Sequence, residues 1–260
     1  MGKLKDYFGG DELASNVWLT KYALKDQSGK VLEETPDDMH HRIASEFARI
    51  EAKFGGKSAL SEEQIFDLIK NFEYIVPQGS PMMGIGNNHV NVSLSNCVVV
   101  ASPDDNISSI LDSGKSLANL FKRRCGVGLD LSELRPEGTP VNNSAGTTTG
   151  AWSFADLYSY VCRMIGQNGR RGALMISMDI RHPDIEKFVT MKHDLTKVTG
   201  ANVSVKISDD FMEAVQNNGT FTLRFPVNSE NPKYTRQVEA AALWQQIVES
   251  ATKTAEPGLL

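Results

Sequence analysis

From residue 76 onward, short apolar runs alternate with amphipathic stretches, and this alternation most constrains how the chain folds. Cys97-Val98-Val99-Val100-Ala101 is rich in β-branched residues and predicts a short strand buried on both faces. Ala173-Leu174-Met175-Ile176-Ser177-Met178 predicts a second buried strand. Val203, Val205 and Ile207 alternate as a third, and Phe221, Leu223 and Phe225 as a fourth. Between them, Ile107, Ile110, Leu111, Leu117, Leu120 and Phe121 mark an amphipathic helix. Further helices are predicted from about Phe154 to Ile165, from His182-Pro183-Asp184 to about Lys192, from Asp209 to Val215, and from Thr235 to about Thr254. Strands and helices in alternation predict an α/β architecture with largely parallel pairing.

Residues 1 to about 75 read as a separate, mostly helical domain, with 76–260 as the second. Thr35-Pro36-Asp37-Asp38 starts a helix: a hydroxyl N-cap, proline at the first position, and carboxylates facing the positive helix end. Met39, Ile43, Phe47 and Ile50 then share one stripe. Ser61-Glu62-Glu63-Gln64 is a capping box ahead of Ile65, Leu68, Ile69 and Phe72. Gly55-Gly56 separates the two helices. At the other end, Pro257-Gly258 stops the last helix, and Leu259-Leu260 read as the first residues of another strand. That reading implies a chain cut or split inside a sheet; the alternative is a disordered tail.

Bulk properties exclude several classes. The formal net charge of -5 argues against broad nucleic-acid binding, which needs a basic face. No apolar run approaches the roughly 20 residues of a membrane span, and the N-terminus lacks the apolar core of a signal peptide. The three cysteines, Cys97, Cys125 and Cys162, are too few and scattered for a disulfide scaffold or zinc site. A reducing cytoplasm is the expected location, where a single cysteine serves either as packing or as a working thiol.

Several loops carry candidate chemistry. Gly126-Val127-Gly128 lacks the spacing of a phosphate-binding fingerprint and reads as tight helix-to-strand packing. Arg135, before Pro136-Glu137-Gly138, is a cation fixed at a turn, or one half of a surface ion pair. Asn142 to Gly150 is dense in hydroxyls, amides and small residues, suited to an anion or to an ordinary loop. Gly166 to Gly172 is more specific: two arginines, an amide pair and three glycines form a mobile nucleotide-sensing loop. His40-His41 are adjacent on a helix and read as surface or partly packed residues rather than metal ligands. Asp104-Asp105 cap the following helix, accept a sugar hydroxyl, or bind a metal.

Together these segments resemble a known family. Ser80-Pro81, Ser95-Asn96-Cys97, Arg124-Cys125-Gly126-Val127-Gly128-Leu129 with Arg135, and Gln167-Asn168-Gly169-Arg170-Arg171-Gly172 follow the order and spacing of ribonucleotide reductase catalytic (large) subunits. Trp18, Lys21-Tyr22 and Asp38-Met39-His40 look like the helical lead-in of bacterial members. The likeness runs from about residue 10 through nearly the whole chain and is strongest to adenosylcobalamin-dependent bacterial and phage ribonucleoside-diphosphate reductases.

The resemblance implies a helical domain followed by the first half of a ten-stranded α/β barrel built from two antiparallel halves. It implies that Cys97 is the strand cysteine that reduces the ribose by becoming half of a disulfide. Ser80 would touch substrate phosphates, with Ser95, Asn96 and Gly172 beside the substrate. Asp104 or Asp105 would accept the 3'-hydroxyl of a dNTP or ATP effector, Arg135 would hold its phosphates, and Gln167 and Arg171 would relay its identity. Helices near 107–123 and 153–165 resemble those that pair in a homodimer beside that effector. Diphosphate substrates and a thioredoxin-type reductant follow from the same likeness, as does adenosylcobalamin bound mainly outside this chain, the alternative being a separate metal-containing radical subunit.

Two departures set expectations. The family's radical site is an Asn-x-Cys-x-Glu loop, and none of the three cysteines has that context. Taking the 3'-hydrogen needs a thiyl radical and a carboxylate base, so this chain alone is expected to be inactive and to need a C-terminal half carrying that motif. The ATP-cone at the front of many members is also missing, so on/off control through it is not expected. The competing reading is a catalytically silent dNTP-binding regulatory module; retention of Ser95-Asn96-Cys97 favours the enzyme fragment.

Overall fold

The computed structural model describes residues 2–56, 59–165 and 172–260. Its contacts divide it into two compact units, Met1–Asn96 and Cys97–Leu260. Residues 76–96, which the sequence places with the second domain, fall within the first unit.

The first unit holds α1 (Gly2–Tyr7), α2 (Glu12–Lys21), α3 (Pro36–Phe54), α4 (Glu62–Ile69) and α5 (Gly79–Gly84). The helix starts are those expected. Thr35 caps α3, and the Asp38 carboxylate accepts the backbone N–H groups of Glu34 at 2.7 Å and Thr35 at 3.1 Å. Ser61 and Gln64 cap α4 reciprocally at 2.9 and 3.2 Å. Trp18, Met39, Ile43, Ala44, Ile65 and Ile69 form the core. The α3 stripe departs from expectation after its second turn. Phe47 is exposed and Ile50 half-buried, because both face an open apolar groove of about 880 Å³ shared with Leu68, Ile75 and Leu94. His40 also departs: it is fully buried, edge-on to Phe72 at 4.7 Å. His41 is exposed and stacks on Phe66 at 3.9 Å.

The second unit alternates strands and helices: β1 (Cys97–Val99), α6 (Ile107–Phe121), β2 (Gly126–Asp130), α7 (Ala151–Met164), β3 (Leu174–Asp179), α8 (Ile185–Thr190), β4 (Asn202–Lys206) and α9 (Asp209–Gln216). Then come β5 (Thr220–Phe225), β6 (Tyr234–Glu239), α10 (Ala240–Thr254) and β7 (Gly258–Leu259). Five strands form one parallel sheet in the order β1-β2-β3-β4-β7. This is the progressive winding of a barrel wall. Leu129, Ile176, Met178 and Val205 on one face pack with Leu117, Phe121, Tyr158 and Phe188 from the helices.

Four expectations need correction. First, neither β1 nor β3 is buried on both faces: Val99 is 86% exposed and Val98 only half-buried, and β3 alternates buried with open positions. Runs of β-branched residues suit one-sided strands as well as two-sided ones, and among the described residues helices cover a single face. Second, Ile107 and Leu111 point away from the core, which α6 meets through Ile110, Gly114, Leu117 and Phe121. Third, residues 235–239 are strand rather than helix; β6 pairs antiparallel with β5 from Thr220↔Glu239 to Phe225↔Tyr234, in a hairpin outside the parallel sheet. Its mostly polar, exposed residues carried no two-fold alternation of apolar character. Fourth, Gly126 and Gly128 lie within β2, and Gly128 faces the Val99 side chain rather than a helix.

The strand start at the chain's end is present. Gly258 and Leu259 pair parallel with Ser204 and Val205. Leu260 extends the ladder, donating to the Val205 carbonyl and accepting from the Ile207 N–H.

Candidate functional site

The uncovered face of the sheet is the first candidate site. Residues in register across parallel strands lie abreast, and every second residue faces the same side. One row runs Val99, Gly128, Met175, Asn202, and the next runs Asp130, Ser177, Ser204, Gly258. Cys97 stands one row below Val99, opposite Gly126. The small residues leave a cavity of about 760 Å³ in front of it.

Cys97 is exposed, whereas Cys125 and Cys162 are buried. Burial pushes the Cys162 thiol up to about 11, so it stays protonated at neutral pH, and thiol redox chemistry runs through the thiolate. Only Cys97 of the three meets solvent on this face. At the far end of the rows is a polar cluster. Asp130 accepts the Ser177 hydroxyl at 2.7 Å and the Ser132 N–H at 3.0 Å, with the Lys206 ammonium at 3.0 Å. Burial pushes the Asp130 carboxyl up, but Ser177, Ser132 and Lys206 outweigh it and hold it below its ordinary value.

A second site lies beyond the C-terminal ends of β1 and β2, where loops of parallel sheets commonly hold ligands. Asn106, not an aspartate, caps α6, accepting the Ser109 N–H at 2.9 Å. Asp105 instead anchors Arg135, thirty residues away. Its carboxylate accepts Arg135 Nε at 2.6 Å and the Arg135 backbone N–H at 3.2 Å, and its carbonyl accepts Nη2 at 3.2 Å. Asp104 is exposed beside this pair. The expected effector residues Asp104, Asp105 and Arg135 are thus brought together.

Gly172 sits at the opposite end, two residues before β3, beside the last turn of α7. A Cβ there would meet Cys162 Sγ at 2.8 Å and the Cys162 carbonyl at 3.1 Å, so a side chain at this position must push α7 or the strand aside. Gln167 and Arg171 lie outside the described residues. Strands rise about 3.3 Å per residue, so the five or six residues of β2 and β3 separate Gly172 from the Asp105–Arg135 corner by ~16–20 Å. In the first unit, Asn96 Oδ1 accepts the Ser80 N–H at 2.7 Å. Ser80 is buried and Ser95 exposed.

Comparison with known proteins matches this architecture. Residues 95–260 match the ribonucleotide reductase barrel domain, and residues 8–89 match the ribonucleotide reductase all-alpha domain. The chain belongs to the ribonucleotide reductase large-subunit family. Curated relatives include vitamin B12-dependent ribonucleoside-diphosphate reductases of Thermoplasma acidophilum, 28% identical, and Mycobacterium tuberculosis, 31% identical, each aligned over 95% of this chain. A ribonucleoside-diphosphate reductase large subunit of Arabidopsis thaliana is 27% identical over 64% of the chain. The chain spans 39% and 35% of the length of the first two relatives.

In a reductase large subunit, the helical unit and the parallel half-sheet are therefore parts of a longer whole. Sequence reading missed two groups within the second unit. The Asp130–Ser177–Lys206 cluster had one signal, an acid two residues beyond Gly128 on the same strand face. The buried pair His182 and Asp184 had none beyond its helix-start reading.

Proposed function

We propose that this chain supplies the reducing thiol and the effector-reading corner of a ribonucleotide reductase that converts ribonucleoside diphosphates to deoxyribonucleotides. The observation that carries this reading is Cys97, the exposed cysteine at the head of β1, on a roomy sheet face where Gly126, Gly128 and Ala173 lie nearest to it across the strands. Reduction of a ribose needs an accessible thiol that donates electrons by pairing into a disulfide. In this reading Cys97 is that thiol, and Ser80, Ser95 and Asn96 lie beside the substrate. The radical cysteine and its carboxylate come from a C-terminal half with an Asn-x-Cys-x-Glu motif, and a thioredoxin-type protein re-reduces the disulfide.

Adenosylcobalamin is the proposed radical source, on the strength of the relatives' names. Its carbon–cobalt bond supplies the radical when bound. The open face suits a large neighbouring group, because Gly126, Gly128 and Ala173 put little bulk around Cys97. In this reading the cofactor is bound mainly by the part of the enzyme outside this chain.

Asp104, Asp105 and Arg135 form the proposed site for the sugar and phosphates of a dNTP effector, and Gln167 and Arg171 relay its identity toward Gly172. Gly172 and the Asp105–Arg135 corner sit at opposite ends of the sheet in one chain, which favours a homodimer that brings the two ends together from different copies at a nucleotide. Ile107, Leu111, Tyr160 and Met164, exposed on α6 and α7, offer the apolar surface for it.

A thermal-shift titration tests the effector reading. A deoxynucleoside triphosphate at a hundred times its Kd is expected to stabilise the chain by about 2.7 kcal/mol, and Arg135→Ala to reduce the shift at the same ligand concentration while leaving residual binding. No shift at millimolar ligand contradicts the reading.

A further inference from the structure

The turn that carries Arg135 is held from below by two buried side chains, His182 and Asp184. The residue before Arg135 is Leu134, whose carbonyl accepts from His182 Nε2 at 2.8 Å. Two residues after it, the Glu137 backbone N–H donates to both Asp184 carboxylate oxygens, at 3.0 and 3.2 Å. The same carboxylate accepts the N–H of Ala151, the first residue of α7, at 2.9 Å. His182 and Asp184 are joined to each other, because the Asp184 N–H donates to His182 Nδ1 at 3.0 Å. That bond fixes the tautomer: Nδ1 accepts, so Nε2 carries the proton and donates to Leu134.

The clasp is buried and sterically closed. His182 is fully buried and Asp184 is 5% exposed. Gly150, at φ +91, passes so close that a Cβ would meet Asp184 Oδ2 at 2.5 Å and the Glu137 nitrogen at 2.8 Å. A buried carboxylate costs free energy unless its lone pairs are satisfied, and here it accepts two backbone amides, one from the Arg135 turn and one from the start of α7. The segment 134–137 is therefore fixed at both ends by the turn that follows β3, while Asp105 fixes the guanidinium from the side.

We propose that His182 and Asp184 are positioning residues for phosphate recognition: they set the backbone of the Arg135 turn, and through it the reach of the guanidinium toward an anionic ligand. This rests on the effector reading given above. It adds that phosphate affinity is controlled from the β3–α8 turn and the start of α7, neither of which meets the ligand. Arg135 on an unclasped turn keeps its charge and loses its aim.

The test is a double-mutant cycle on the full chain, read by calorimetric binding of dTTP and of inorganic tripolyphosphate. Asp184→Asn keeps the shape but replaces one acceptor with an N–H donor facing a backbone N–H. The expected result is weaker binding of both probes, on the order of tenfold for a lost charge-assisted hydrogen bond. In the Arg135→Ala background the same substitution is expected to have no further effect, since coupled residues are non-additive. Unchanged affinity in folded Asp184→Asn, or an equal loss with and without Arg135, overturns the positioning role. Absence of binding by the wild-type chain overturns the effector reading and this proposal with it. Hydrogen exchange on the wild-type chain gives a readout that needs no variant. Saturating tripolyphosphate is expected to slow exchange at the Glu137 amide, and unaltered exchange there contradicts the coupling.

Discussion

At the scale of single residues, chemistry is assigned by exposure and by pairing across long stretches of chain. The sequence singles out Cys97 through the resemblance of Ser95-Asn96-Cys97 to the family, and its role as the reducing thiol is the proposal made above. Its exposure on an uncovered face was not legible, since the run predicts burial on both sides. Arg135 was legible as a fixed cation, but its anchor Asp105 lies thirty residues away and is found only in the fold. Accessibility gives a direct check. Under native conditions iodoacetamide is expected to alkylate Cys97 much faster than Cys162, whose buried thiol is pushed up to about 11. Peptide mapping that finds Cys162 modified first contradicts this.

At the scale of elements, the helices with explicit caps were legible and the hairpin was not. Thr35, Asp38, Ser61 and Gln64 write the starts of α3 and α4 in local hydrogen bonds. The strand β6 is specified by its partner β5, and a polar exposed strand has no pattern of its own. The junction of α7 with β3 makes a stability prediction. Gly172→Ala puts a methyl into Cys162 and Phe121 and is expected to destabilise the fold by about 1–3 kcal/mol, read as a lower urea midpoint; an unchanged midpoint contradicts the packing. The helical unit makes a pH prediction. Burial outweighs the nearby Asp37 and holds His40 below its ordinary 6.5. The unfolded chain therefore binds that proton first, so the contribution of neutral His40 is complete above pH 6.5 and is lost as pH falls below it. The slope is at most about 1.4 kcal/mol per pH unit. Urea midpoints of His40→Phe are expected to fall less than those of the wild type between pH 7.5 and 5.5; parallel curves contradict it.

At the scale of the whole molecule, the sheet is a parallel wall with one face packed by helices and one face open, ending on a strand whose ladder continues through Leu260. The α/β class, the helical first domain and this last strand were legible, because hydrophobic period and breakers are local signals. The open face was not, because sequence reports apolar character and not what covers it. The proposed homodimer predicts that Leu111→Glu, on the exposed side of α6, shifts the chain to monomer in sedimentation velocity and weakens triphosphate binding along with it. A dimer that persists contradicts the assigned face. The central claim is that Cys97 is the reducing thiol of a reductase completed by a second part. Its most direct test is deoxynucleotide formation from ribonucleoside diphosphates with adenosylcobalamin and a dithiol reductant. The expected result is no turnover by this chain alone, turnover when a polypeptide carrying the Asn-x-Cys-x-Glu half is added, and loss of that turnover with Cys97→Ser. Turnover by this chain alone, or full turnover by the completed Cys97→Ser enzyme, contradicts it.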